Sequence, residues 1–341
     1  MEDHYRLGLH MLTDGTDVRL PAELDHPSVI QHIQKIKDRH GHWVSHSNVS
    51  GFGLGEKIKG GQPHPDQLAL RVYVVRKQPK KDLSRVIPRS ITFPGIGTLQ
   101  TDVIEIGRIQ LQIDSQSQSP DMAKYRPAPP GSCVGTGLRY GTFSCLVRKN
   151  GDDKKLYILS NNHVIANSGL ADRGASVSQP SPTDQTDDRI AELEEIAQLS
   201  FSDSGFENLA DAAIARVVSK RGVTSKIRMI GMAPQGLNQK LNRGMLVKKV
   251  GIASGLTHSE VLDVDFKTAA TYTKPGAHGD LFRAGFRDQV LCHRFTEPGD
   301  SGSLVLDQNN RAVGLHFAGS DKGSIFNKMQ NVLAVLKIEL V

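Results

Sequence analysis

From Gly141 onward the chain is written in short apolar runs that return at regular intervals, separated by glycine, proline and small polar residues. Gly141 to Val147, Leu156 to Leu159, Ala212 to Val218, Gly244 to Val250, Val290 to Phe295, Ser303 to Leu306 and Ala312 to Phe317 are too short for ordinary helices and read as strands. A chain punctuated in this way closes into a barrel or stacks as a sandwich. The 33 glycines and 16 prolines supply the turns, and 341 residues give room for about two domains. At the end the period changes. Val332, Leu333, Val335, Leu336 and Ile338 predict a C-terminal helix over Met329 to Val341, packed on the β body.

The residues before this body have a different texture. Ile30, Ile33 and Ile36 recur at helical spacing and predict an amphipathic helix ending near Gly41. His32, His40, His42 and His46 cluster around its end, but no carboxylate or cysteine stands at a metal-ligand interval, so they read as surface histidines. Gly51-Phe52-Gly53-Leu54-Gly55 superficially resembles a phosphate-cradling loop. It lacks a preceding buried strand and a Gly-Lys-Ser ending, and predicts a turn or hairpin instead. Leu68 to Val75 is a strand, Leu83, Val86 and Ile87 suggest a short helix or turn up to Pro88, and Thr101 to Ile113 reads as another strand. These elements predict a small α/β domain without a catalytic constellation of its own. Ser, Gln and Pro are dense over residues 114–131, which predicts a linker. The expected division is an N-terminal helix and accessory domain over 1–126 and a β domain over 127–341.

The net charge of +6 comes from Lys and Arg scattered along the chain, which describes a solvated surface and not a nucleic-acid partner. Three cysteines, Cys133, Cys145 and Cys292, show no metal-ligand spacing, and an odd count argues against a disulfide framework. Met1 to Leu20 lacks the apolar core of a signal peptide, and no apolar run has bilayer-spanning length. The expectation is a soluble cytoplasmic protein with no membrane partner.

The chemistry-bearing stretch is Glu297-Pro298-Gly299-Asp300-Ser301-Gly302-Ser303-Leu304-Val305. A serine between two glycines at the mouth of a strand suits acyl transfer, because the glycines let backbone amides converge on one point where an oxyanion would form. Those donors would be the amides of Gly299 and Ser301. Four residues alone also fit an ordinary β-turn, so partners decide. His163, in Ser160-Asn161-Asn162-His163-Val164, follows an apolar strand and is the candidate general base. Asp211 leads directly into the apolar Ala212 to Val217, where an acid is rare without a partner. Asp172, Asp187, Asp188 and Asp203 lie in polar segments and read as loop residues.

The ordered set His163, Asp211, Ser301 resembles the chymotrypsin-like (trypsin-like) serine proteases, with a histidine after a strand, an aspartate before one, and Gly-Asp-Ser-Gly. The segments around them, with Lys249 to Thr257 and Ala312 to Ser320, are more closely similar to a bacterial trypsin-like group related to the plant narrow-leaf protein. The resemblance spans about residues 131–341. It implies a mainly β fold, a double six-stranded β-barrel with the site in the cleft between barrels, preceded here by the small α/β region. It also implies a Ser-His-Asp triad of Ser301, His163 and Asp211, peptide hydrolysis through an acyl-enzyme, and no cofactor or metal. Digestive members are switched on by a freed N-terminus that pairs with the acid before the serine. No such cleavage sequence precedes the barrel here, so Asp300 needs another partner. The run Ile252-Ala253-Ser254 departs from the more polar run expected at the cleft's edge.

For the substrate pocket, the position six residues before Ser301 is Phe295, which disfavours a Lys or Arg preference. The Thr296 hydroxyl and the His316 imidazole facing one pocket would suit a Glu or Gln side chain; a pocket floored by Phe295 with His316 turned inward would take a small apolar one. The expected partner is a protein or peptide substrate, with a regulatory protein on the N-terminal region as a further expectation. A binding module on a protease fold is the alternative function.

Overall fold

The structure is a computed structural model that describes residues 47–59, 62–79, 86–93, 97–112, 120–137, 139–152, 154–181, 188–201, 205–273 and 281–341. The helix expected near Ile30 to Gly41, its histidines and Leu83 lie outside the described residues. Val86 and Ile87 are described and are not helical.

In chain order the first strands are β1 (Val49–Lys59), β2 (Gln62–Val74), β3 (Ser90–Phe93), β4 (Gly97–Glu105) and β5 (Gln110–Leu111). Next come β6 (Cys133–Gly135), β7 (Tyr140–Thr142), β8 (Cys145–Lys149), β9 (Tyr157–Ser160), a one-turn helix α1 (Asn162–Ile165), β10 (Ser176–Ser178), β11 (Arg189–Ile196) and β12 (Ala213–Val217). The last part holds β13 (Leu246–Gly251), β14 (Gly255–Thr273), β15 (Leu281–His293), β16 (Leu304–Asp307), β17 (Ala312–Gly319), β18 (Gly323–Lys328), the helix α2 (Met329–Leu336) and β19 (Ile338–Leu340).

The protein is mainly β, as expected, with two curled sheets in the manner of a double barrel. One runs β19-β8-β9-β12-β11-β10-β6-β7. In the other, β13 pairs with both β14 and β16, so β13, β14, β15, β18, β17 and β16 close a six-stranded ring. Each encloses its own apolar filling, Val134, Phe143, Ile158, Ile190 and Leu193 in the first and Val247, Val261, Val290, Val305 and Phe326 in the second. Tyr157, Leu159, Ile214, Leu304 and Leu315 pack together with Met329, Val332 and Leu336 of α2, joining the two. The C-terminal helix is shorter than its apolar pattern predicts. Lys337 adopts the left-handed conformation (φ 52°), which ends α2 and lets Ile338 to Leu340 pair with β8.

The described residues between 47 and 112 form strands, and they hydrogen-bond into the second sheet. β1 pairs with β14 through Gly51 with Thr268 and Phe52 with Lys267, and β2, β4 and β3 extend from β1. The glycines of β1 serve this approach. A Cβ on Gly53 would fall 2.3 Å from the Asp263 carboxylate, and one on Gly55 would fall 2.5 Å from the Arg71 guanidinium, two groups that form a buried ion pair at 3.4 Å. The glycine-rich stretch is therefore one strand of a hairpin. The single strand expected over Thr101 to Ile113 breaks after Glu105. There Gly107 takes φ +82° and Ile106 and Ile109 turn into the core, and the chain resumes as β5, which pairs antiparallel with β17 (Leu111 opposite Ala318, Gln110 opposite Gly319). Residues 120–131, expected as linker, lie packed on the body. The Asp121 amide donates to the Ile252 carbonyl at 2.9 Å, its carboxylate pairs with Arg228, and Ala128 and Pro130 are buried.

Candidate active site

Three short connections bring the polar residues of interest to the seam between the sheets. β9 delivers the chain into α1, whose second residue is His163. Asp211 stands two residues before the first residue of β12, and the turn before β16 carries Gly299, Asp300, Ser301 and Gly302. The turn needs glycine at its end: Gly302 has φ +94°, and a Cβ there would meet the Thr142 carbonyl at 2.1 Å. Thr142 holds the turn from the other sheet, its amide donating to the Ser301 carbonyl at 2.7 Å and its hydroxyl to the Gly299 carbonyl at 3.1 Å.

His163, Asp211 and Ser301 are all fully buried. The His163 ring Nδ1 lies 2.7 Å from Asp211 Oδ2, and the His163 amide donates to Asp211 Oδ1 at 3.2 Å. The Tyr272 hydroxyl donates to the same Oδ2 at 2.6 Å, and Asn161 fixes the Asp211 carbonyl at 2.7 Å. Burial pushes the Asp211 carboxyl up, but the opposing His163 and these donors outweigh it and hold it below the usual range. Burial, with the adjacent carboxylate, keeps the Tyr272 phenol protonated far above its ordinary range. The outer ring nitrogen, His163 Nε2, is buried and has no protein hydrogen-bond partner. The Ser301 hydroxyl donates to the Phe317 carbonyl at 3.1 Å.

Asp300 finds its partner in Lys249 of β13. The Lys249 ammonium stands 2.9 Å from Asp300 Oδ2, and neither side chain is exposed. Oδ1 accepts from the amides of Ala253 (2.9 Å) and Ser254 (3.2 Å), and Oδ2 from the Ser254 hydroxyl (2.5 Å) and the Glu297 amide (3.0 Å). The run Ile252-Ala253-Ser254, which departs from the expected pattern, thus builds the cage around this carboxylate.

The pocket beside Ser301 contains a residue that the sequence did not single out. Gln112, just past β5, is 5% exposed. Its Oε1 lies 2.6 Å from His316 Nε2, and its Nε2 donates to the Thr296 carbonyl at 3.4 Å. Its main-chain carbonyl accepts the Gly299 amide at 2.8 Å. Of the expected pocket residues, His316 and Thr296 meet at one side chain, and Phe295 lies beside His316 with ring centroids 6.5 Å apart. The Thr296 contribution differs from expectation. Its hydroxyl is 2.6 Å from the Ser324 hydroxyl, and its carbonyl is what faces the pocket. Burial pushes the His316 imidazole down to about 3, so it is neutral and its Nε2–H donates to Gln112.

The Trypsin family model matches residues 153–336, more than half of the chain and the whole stretch that carries His163, Asp211 and Ser301. The chain belongs to the trypsin family of serine proteases. Among solved structures, this trypsin-family chain is similar to Thermobifida fusca protease A (17% identity, 63% of this chain and 99% of that one, TM-score 0.44). It is also similar to a glutamic acid specific serine protease described as using a histidine triad in substrate binding (16%, 63% and 100%, TM-score 0.44) and to Cellulomonas bogoriensis chymotrypsin (17%, 63% and 98%, TM-score 0.41). No curated protein matches the chain.

Among the described residues, no group of three or more His, Cys, Asp and Glu side chains is placed to hold a metal ion, and no helix is long and apolar enough to cross a membrane. Sequence reasoning passed over Tyr272, Lys249 as the partner of Asp300, and Gln112. Lys249 sits in a segment that the family resemblance covers. Tyr272 and Gln112 reach the site from elements whose local pattern carries no mark of chemistry.

Proposed function

We propose that this trypsin-family chain is an endopeptidase in which Ser301 is the nucleophile, His163 the general base and Asp211 the group that orients His163. The observation that carries this reading is the orphaned, buried His163 Nε2. With Nδ1–H donating to Asp211, the other ring nitrogen presents a lone pair and no protein group uses it. A rotation of the Ser301 side chain away from the Phe317 carbonyl brings its proton to that lone pair. Ser301 Oγ then attacks the substrate carbonyl, and the Gly299 and Ser301 amides receive the oxyanion. His163 returns the proton to the leaving amine, and water releases the acyl group by the same steps. No step calls for a cofactor.

The residue preceding the cut is Gln or Glu, and the pocket geometry supports Gln more strongly. Neutral His316 donates on one side and the Thr296 carbonyl accepts on the other, which matches an amide, whereas an ionised carboxylate has no hydrogen to offer Thr296. Cys133, Cys145 and Cys292 are buried and form no disulfide, which supports a reducing compartment such as the cytoplasm as its place of action.

A fluorophosphonate probe should label the chain and not Ser301→Ala. A peptide library should return cleavage after Gln, then Glu. A chain that stays unlabelled both as it is and with Gln112→Lys withdrawing that side chain from the site overturns the nucleophile assignment, and dominant cleavage after Leu, Ala or Val overturns the pocket assignment.

A further inference from the structure

Three contacts that a bound substrate would make are made by the chain itself. Residues Gln110 and Leu111 lie as an added antiparallel strand on β17, the way an extended peptide docks on a sheet edge. The next residue, Gln112, places its side chain between His316 and Thr296. Its carbonyl oxygen sits on the Gly299 amide, the position an oxyanion would take. Backbone, side chain and reacting carbonyl are in register together, and Gln112 is almost wholly buried in that place. The described residues on either side of 113–119 are tied to the body. Upstream, β5 is paired. Downstream, Asp121 is held by the Ile252 carbonyl and Arg228, and Ile252 and Ala253 lie against Gly299.

A segment with no other role would not be expected to make these contacts. An Ile109 to Gln112 strap that merely covered apolar surface would need no amide side chain facing a neutral histidine, and no carbonyl on the Gly299 amide. The buried Gln112 amide finds both a donor and an acceptor there, which a pocket shaped for something else would not offer.

We infer that the first substrate of this protease is its own chain, cut in cis at the Gln112–Ile113 peptide bond. The inference rests on the triad reading above and deepens it. Ser301 Oγ attacks the Gln112 carbonyl carbon and forms the acyl ester while His163 Nε2 takes the serine proton. The C–N bond to Ile113 breaks, and the Ile113 nitrogen leaves as an amine with that proton. Water then hydrolyses the ester, giving a Gln112 carboxylate and restoring the Ser301 hydroxyl, so the net reaction consumes one water. Holding nucleophile and bond in one molecule makes the step unimolecular. The two pieces stay associated, because β1 remains paired with β14 and Arg71 with Asp263. The product is a nicked protease whose new C-terminus occupies the pocket until substrate displaces it.

The test is intact-mass analysis under denaturing conditions of the full chain, Ser301→Ala and Gln112→Lys. The wild type should give two fragments, one ending at Gln112 and one beginning at Ile113, at a rate independent of protein concentration. Both variants should stay whole. A rate that rises with concentration, a cut at another bond, or the same cut in Gln112→Lys overturns the inference. Fluorophosphonate labelling of Gln112→Lys, whose strap does not fit the pocket, keeps the two readings apart. An intact wild type with a labelled variant overturns self-cleavage and leaves the protease; an intact wild type with an unlabelled variant overturns both.

Discussion

Lys249 and Asp300 form an ion pair at 2.9 Å that is sealed from solvent, directly beneath the turn that carries Ser301. Burial works against both charges, pulling the Lys249 ammonium down and the Asp300 carboxyl up, but Lys249 and the surrounding donors leave the carboxyl below its usual range. A chain-internal lysine thus fills the place that a freed N-terminus takes in digestive relatives of this fold.

Replacing Lys249 with Met should strand a buried carboxylate and cost about 3–5 kcal/mol. The sign with pH follows from the direction of the shift. A carboxyl held low in the folded state stabilises at neutral pH, and that stabilisation is lost as pH falls through the folded value. Without Lys249 the folded value rises, so the deficit should be largest at neutral pH and shrink as pH falls and the stranded carboxyl takes up a proton. Thermal melts of both proteins from pH 3 to pH 8 check this, and a deficit that stays constant across that range would argue that the amide donors alone hold Asp300.

In the proposed mechanism Tyr272 is a positioning residue, acting on His163 through Asp211. Tyr272→Phe keeps the ring packing against Phe286 and removes one donor to a charged oxygen, an interaction on the order of 1.5–3 kcal/mol. If about half of that bears on the transition state, kcat should fall roughly three- to tenfold with KM little changed. The acid limb of kcat/KM should also move to higher pH, because the Asp211 carboxyl, with one donor fewer, is held less far below its usual range. A merely structural role would lower stability and leave that limb in place.

The residues proposed as the triad stood out because each sits in its own local signature: a strand end before His163, an acid opening an apolar strand at Asp211, and paired glycines about Ser301. Of the proposed pocket, the sequence displayed only part. His316 and Thr296 stood out by position, but the sequence displays side chains and not main-chain carbonyls, so the Thr296 acceptor was invisible. The long strand β14 was hidden because polar and charged residues (Thr257, His258, Ser259, Glu260, Asp263, Asp265, Lys267) interrupt its apolar ones, although it pairs with β13 and β15 along its length. Gln112 was out of reach for a topological reason. It meets His316 across 204 residues, and only the break at Gly107 and the pairing of β5 with β17 bring it there.

His316 should make the fold sensitive to acid. Its imidazole is held near 3 by burial, whereas in the unfolded chain it takes up a proton near 6.5. Between those values the unfolded state binds more protons, so stability falls as pH falls, by up to about 1.4 kcal/mol per pH unit from this group. His316→Gln, which cannot protonate, should show a shallower decline between pH 6.5 and pH 4.5. Urea unfolding across that range measures it, and parallel curves for the two proteins would rule out His316 as the source.

The Thr296 carbonyl leads to the most specific expectation about substrate. A Gln side chain offers it an N–H, as Gln112 does, while an ionised Glu brings an oxygen against an oxygen and leaves both without a hydrogen. An unmet polar group of this kind is worth about 1–3 kcal/mol, so Gln should exceed Glu in kcat/KM by roughly one to two orders of magnitude at neutral pH. The preference should narrow on acidification. Once the substrate carboxyl is protonated, near its ordinary value of about 4.3, it carries an O–H that Thr296 can accept, while Gln is unchanged. Taking the ratio of the two substrates at each pH cancels the titration of the enzyme's own base. Competition between matched Gln and Glu peptides from pH 7.5 to pH 5 reads that ratio directly. A ratio that stays constant would place the discrimination elsewhere than at Thr296, and one that favours Glu at neutral pH would mean that the pocket supplies a positive charge, which a neutral His316 does not.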